Sequence, residues 1–157
     1  MQHLLAILLT AVLAELASRA EADSSKPATI VFVCLHGSVK SQVAAAHFNR
    51  IARERGLPVV AISRGTDVDN EIPAVIRDAL AGDALAPDVD VPVRLTSEEA
   101  ASATKIFAFD EVPSDLRGPA EVTYWSDVPP ATKNYAAARQ AILRHIEEAI
   151  GPLKPKD

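Results

Sequence analysis

The residues best able to do chemistry lie in one short run, Cys34-Leu35-His36-Gly37-Ser38-Val39-Lys40-Ser41, which holds the only cysteine of the 157-residue chain. An apolar stretch, Val31-Phe32-Val33, leads into the cysteine, and a helix-like pattern follows Ser41. That layout is a strand, a tight loop and a helix start. A thiol at such a junction faces the backbone N–H groups of the turn and the positive end of the helix dipole, which together stabilise a thiolate and bind an oxyanion. Gly37, Ser38 and Ser41 are small or hydroxylated, and Lys40 is the loop's only lysine or arginine, a composition suited to a tetrahedral anion. The competing reading, a cysteine that is only a small core hydrophobe, does not account for this loop.

The remaining candidates are weaker. His36 sits two residues beyond Cys34, where a loop-bracing or solvent-facing role is expected rather than that of a base. His3, His47 and His145 show no metal-ligand spacing with one another or with the cysteine, so neither a metal site nor a cofactor is expected.

The run from Cys34 to Ser41 resembles the C-x5-R-[ST] loop of the low-molecular-weight protein tyrosine phosphatase superfamily, which includes the thioredoxin-coupled arsenate reductases. The similarity continues beyond the loop. Ala61-Ile62-Ser63-Arg64-Gly65-Thr66 resembles the family's second strand and its S-A-G-T turn, while Arg94-Leu95-Thr96 and Ile106-Phe107-Ala108-Phe109-Asp110 resemble the segments around its third strand. Trp125-Ser126-Asp127-Val128-Pro129 is similar to the tryptophan and Asp-Pro neighbourhood of the arsenate reductases. The resemblance implies that Cys34 is the nucleophile, that the backbone of Leu35, His36, Gly37, Ser38, Val39 and Lys40 cradles the anion, that Ser41 stabilises the thiolate, and that Asp127 is the candidate general acid.

Three departures from the family pattern bear on activity. Lys40 stands where the family has arginine, and a lysine is a point charge without the planar fork that grips two phosphoryl oxygens. Loss of a well-aimed donor of this kind costs about 3–4 kcal/mol, or roughly 10²–10³ in rate. Gly37 replaces a bracing asparagine, although glycine can adopt the left-handed backbone the turn needs. Asp127 is followed by Val128 and only then by Pro129, so a slip of one residue would put valine in the acid's place. Arg64, in a turn position that the family fills with alanine, is a further anion-binding candidate that would partly replace the missing arginine.

The N-terminus carries a separate signal. Residues 4–14 are almost wholly apolar, and Ala20-Glu21-Ala22 has the small-x-small pattern of a cleavage site, so residues 1–22 are expected to be a signal peptide and the protein periplasmic or secreted. Against this, the leading region has no lysine or arginine and Glu15 interrupts the run early. A cytoplasmic protein, or one anchored to the membrane by residues 4–20, is the alternative. Residues 23–157 suffice for one domain, and the net charge of −5 suggests neither a nucleic-acid surface nor a basic membrane patch. A monomer is expected, with no membrane contact once the leader is removed.

To position the loop, the chain alternates short β-branched runs with helical ones. This pattern predicts a single α/β domain, a four-stranded parallel sheet with helices on both faces, doubly wound. Strands are predicted over 28–34, 58–63, 104–109 and 121–125, and helices over 41–55, 71–82, 97–102 and 131–150. The last helix would place Tyr135, Ala138, Ile142, Leu143, Ile146 and Ile150 on one face. Thr96 with Glu99 reads as a capping box, and Gly56 and Gly151 as helix stops. Ligands of such sheets bind at the carboxyl ends of the strands, where Cys34 and the loop after the fourth strand would meet.

A single cysteine excludes an intramolecular disulfide relay. The expected activity is therefore hydrolysis of a phosphomonoester, such as protein phosphotyrosine, through a cysteinyl-phosphate, weakened by Lys40. One alternative is a single-cysteine arsenate reductase served by an external thiol. The other is a catalytically silent module that binds an oxyanion or a partner.

Overall fold

A computed structural model describes residues 27–151. The elements run β1 (Ala28–Cys34), α1 (Lys40–Glu54), β2 (Val59–Gly65), α2 (Ala74–Gly82), α3 (Ser97–Ser102), β3 (Lys105–Ala108), a 3₁₀ turn at Ser114–Leu116, β4 (Val122–Tyr124) and α4 (Tyr135–Ile150). The four strands form one parallel sheet in the order β2-β1-β3-β4. From β1 the chain moves outward to β2, then crosses back to β3 on the other side of β1. The order therefore reverses between β1 and β3, and the loops that follow these two strands flank the crevice at that reversal.

β1 is central, and its side chains alternate between two buried layers, which explains its unbroken apolar sequence. Ile30, Phe32 and Cys34 face the larger layer, with residues of α1, α2 and α4. Val31 and Val33 face the smaller one, with Leu95, Ala100, Ile106, Ala108 and Val112. In the larger layer Phe32, Phe48, Phe107, Phe109 and Trp125 form an aromatic cluster with ring centroids 4.7 to 5.8 Å apart, within the range of favourable edge and offset contacts.

The predicted elements are all present; 28–34 and 97–102 keep their predicted bounds and the others have displaced ends. α2 begins at Ala74 because Pro73 occupies its N-cap, and α4 begins at Tyr135 rather than near 131. Residues 131–133 form a turn in which the Lys133 and Asn134 N–H groups both donate to the Pro130 carbonyl at 3.1 Å, and Asn134 then starts the helix by accepting a hydrogen bond from the Ala137 N–H at 3.0 Å. On α4, Ala138, Ala141, Ile142, Ile146 and Ile150 are buried, while Tyr135 and Leu143 pack at the margin of the layer. The Thr96–Glu99 capping box is formed in both directions, and Gly56 follows α1 with a φ of 63°. The apolar residues 4–14 and the Ala20-Glu21-Ala22 pattern lie outside the described residues. Among those described, no helix is long and apolar enough to cross a membrane.

Candidate active site

Cys34 is the last residue of β1, 4% exposed, and its Sγ lies 3.0 Å from the Oγ of Ser41 in the first turn of α1. Ser63 of β2, also buried, donates its hydroxyl to Ser41 Oγ at 2.9 Å. With that acceptor position filled, the hydrogen of Ser41 is free to point at the sulfur. Sequence reasoning placed Ser41 here and overlooked Ser63, whose contribution depends on β2 lying beside β1 with Ser63 paired to Phe32.

The loop between Cys34 and α1 is held from several sides. Gly37 has a φ of 66°, and a Cβ there would lie 2.9 Å from the backbone nitrogen of Gly65, so both glycines are needed for the close approach of the two backbones. The buried side chain of Gln42 donates to the Gly37 carbonyl at 2.8 Å and accepts from Asp88 N–H, doing the bracing for which Gly37 has no side chain. Ser38 donates to Asp69 at 2.6 Å, and His36 Nδ1 lies 3.1 Å from the carbonyl of Asp67 and 3.4 Å from Asp69 Oδ1. The His36 ring is half-exposed and touches the segment that follows β2. The N–H groups of His36, Gly37, Ser38 and Val39 take part in none of the backbone hydrogen bonds that join elements among the described residues.

Beside this loop is a cleft of about 240 Å³ lined by Cys34, Leu35, His36, Val39, Lys40 and Asp110. Lys40 opens α1, with its Nζ 5.4 Å from the ring centroid of Phe109 and 4.0 Å from Asp110 Oδ1. Asp110 follows β3, and its Oδ2 accepts the Leu35 N–H at 2.9 Å. In the sequence Asp110 stands only as the end of a strand motif. Its position at the switch between β1 and β3 is what brings it to the cysteine.

Two candidates are held elsewhere. Arg64 pairs with Val33 in the sheet, so strand alternation turns it away from the layer that holds Cys34. Its guanidinium donates to Glu99 at 2.6 and 2.9 Å and to the Ser63 carbonyl at 2.7 Å. Asp127 does not line the cleft; its carboxylate meets His145 at 2.6 Å and Arg144 at 3.1 Å on α4. The hydrogen bond from His145, against the opposing effect of burial, holds its carboxyl below the ordinary range, which favours the anion over a proton donor. Val128, in the place a slipped alignment would give the acid, is buried in the larger layer. Burial raises the pKa of Asp88, against the hydrogen bond from Ser63 N–H. Among the described residues no group of three or more His, Cys, Asp or Glu side chains converges as a metal site.

Several solved structures share this architecture. YfkJ from Bacillus subtilis is 19% identical, with a TM-score of 0.69 over 80% of this chain and 93% of that one. A low molecular weight protein tyrosine phosphatase from T. tengcongensis is 15% identical, with a TM-score of 0.70 over 79% and 98%. The Drosophila arginine phosphatase DARP is 14% identical, with a TM-score of 0.66 over 78% and 95%. No curated protein matches the chain. At these identities the structures speak to the fold alone. Residues 29–116, more than half of the sequence, match the model of the low molecular weight phosphotyrosine protein phosphatases, and this cysteine-loop chain belongs to that family.

Proposed function

We propose that the protein hydrolyses phosphomonoesters through a cysteinyl-phosphate at Cys34, at a rate limited by Lys40. The observation that carries this reading is the hydrogen-bonded line Ser63–Ser41–Cys34 ending at a cleft that also contains a lysine. In the first half of the reaction the thiolate would attack phosphorus, while the loop amides and Lys40 hold the non-bridging oxygens. In the second, water would attack the phosphocysteine and Ser41 would stabilise the departing thiolate. Similar folds include both tyrosine and arginine phosphatases by name, so an aryl phosphate serves here as a probe of the chemistry. Export is part of the proposal, supported by residues 4–14 and Ala20-Glu21-Ala22.

The test is hydrolysis of 4-nitrophenyl phosphate by the full chain, kept reduced, beside Cys34→Ser and Lys40→Arg. The serine variant should be inactive. The arginine variant should gain about tenfold or more, part of the roughly 10²–10³ that such a donor contributes. Turnover only in Lys40→Arg would instead point to an anion-binding module that has kept the fold. Arsenate-dependent oxidation of an added thiol, without phosphate release, would favour the reductase.

A further inference from the structure

We propose that Asp110 is the proton donor to the leaving oxygen in this reaction, an assignment that rests on the phosphatase reading above. Val33 pairs with Ala108, and Phe109 N–H donates to the Val33 carbonyl at 2.8 Å, so the ends of β1 and β3 lie side by side. One residue further along, Cys34 and Asp110 face the same cleft. Among its lining residues Asp110 is the only carboxylate. The next acidic residue, Glu111, is turned toward Arg117 at 2.5 Å, and Asp127 is held by His145 and Arg144.

The partners of Asp110 link its proton to substrate binding. One oxygen accepts from the first amide of the anion loop, and the other lies near the loop's lysine. Both donors are ones a phosphoryl group would claim. An incoming dianion would displace the carboxylate from them and leave Asp110 free to turn to the leaving oxygen. The side chain is 40% exposed, so that proton comes from solvent.

In the first step the Cys34 sulfur forms a bond to phosphorus as the bond from phosphorus to the leaving oxygen breaks, and the Asp110 proton passes to that oxygen. In the second step the Asp110 carboxylate takes a proton from water as the water oxygen attacks phosphorus. The sulfur–phosphorus bond breaks, its electron pair returns to Cys34, and inorganic phosphate leaves.

The experiment compares phenyl phosphate, whose leaving oxygen needs a proton, with 2,4-dinitrophenyl phosphate, whose leaving oxygen does not. In Asp110→Asn, turnover of the phenyl ester should fall about 10²-fold or more, the usual contribution of an acid, and that of the dinitrophenyl ester by less than about tenfold. Asp110→Glu should recover part of the phenyl activity, and Asp127→Asn should change neither substrate by more than about twofold. Asparagine can still accept the Leu35 N–H, and protection of Cys34 from alkylation by inorganic phosphate confirms an intact loop. Equal losses on both esters in Asp110→Asn, or a leaving-group-dependent loss in Asp127→Asn, would overturn the assignment and leave the phosphatase reading standing. No turnover of either ester by the unmodified protein would overturn both.

Discussion

At the scale of single residues, the anion loop depends as much on what is missing as on what is present. A Cβ on Gly65 would lie 2.6 Å from the backbone nitrogen of Gly37 and 2.8 Å from the carbonyl carbon of His36. These are backbone atoms that cannot swing aside as a side chain could. Gly65→Ala should lower unfolding free energy in urea by about 1–3 kcal/mol, the usual cost of overpacking, and should abolish phosphate protection of Cys34. Gly82→Ala is the control. A Cβ there meets nothing within 4 Å, and alanine at this helical position should stabilise the protein by about 0.5–1 kcal/mol. A loss of stability in Gly82→Ala, or none in Gly65→Ala, would contradict the backbone contact as the reason for these glycines.

At the scale of elements, α3 has six residues and cannot rely on its own length. Its start is set by Thr96, which accepts the Glu99 N–H, while Glu99 returns a carboxylate to the Thr96 N–H. Burial acts to raise the pKa of Glu99, but the hydrogen bond from Arg64 and those at the cap together bring it below the ordinary value. The cap, the helix and the only arginine of β2 are therefore joined through one carboxylate. Thr96→Ala should reduce stability by about 1 kcal/mol in chemical denaturation without changing alkylation of Cys34, because α3 covers the opposite face of the sheet. A change in Cys34 reactivity would show that Arg64 communicates with the loop.

For the molecule as a whole, His47 of α1 is fully buried, with Nε2 3.3 Å from Asp83 and 3.4 Å from the Tyr135 hydroxyl, and so ties α1 to the end of α2 and the start of α4. Burial first, and then the Arg50 charge, push its pKa down to about 4, against the pull of Asp83. The unfolded chain, with an ordinary histidine near 6.5, then binds the proton more readily than the folded one. Stability from this group is full above pH 6.5 and is lost as pH falls toward 4, by up to about 3 kcal/mol. Denaturation curves between pH 7 and 4 should show this slope, and His47→Gln should flatten it. A slope unchanged by the substitution would assign the acid sensitivity to the carboxylates instead.

The chain order made the parallel sheet, the cysteine loop and the short capped helix legible, because each is encoded by neighbours in sequence: alternating apolar runs, eight consecutive loop residues, and a threonine three residues before a glutamate. Cys34, Lys40 and Ser41 belong to that local class. Ser63, Gly65 and Asp110 do not, since their roles arise only when β2 and β3 settle on either side of β1. Arg64 and Asp127 were drawn toward the site by their place in similar motifs. The pleat of β2 turned the first to the far face, and Arg144 and His145 on α4 took the second. Local patterning can say which backbone turns and which side chain ends a strand, but which carboxylate meets the cysteine is decided by the order of the strands, because only packing sets the distance between residues remote in sequence.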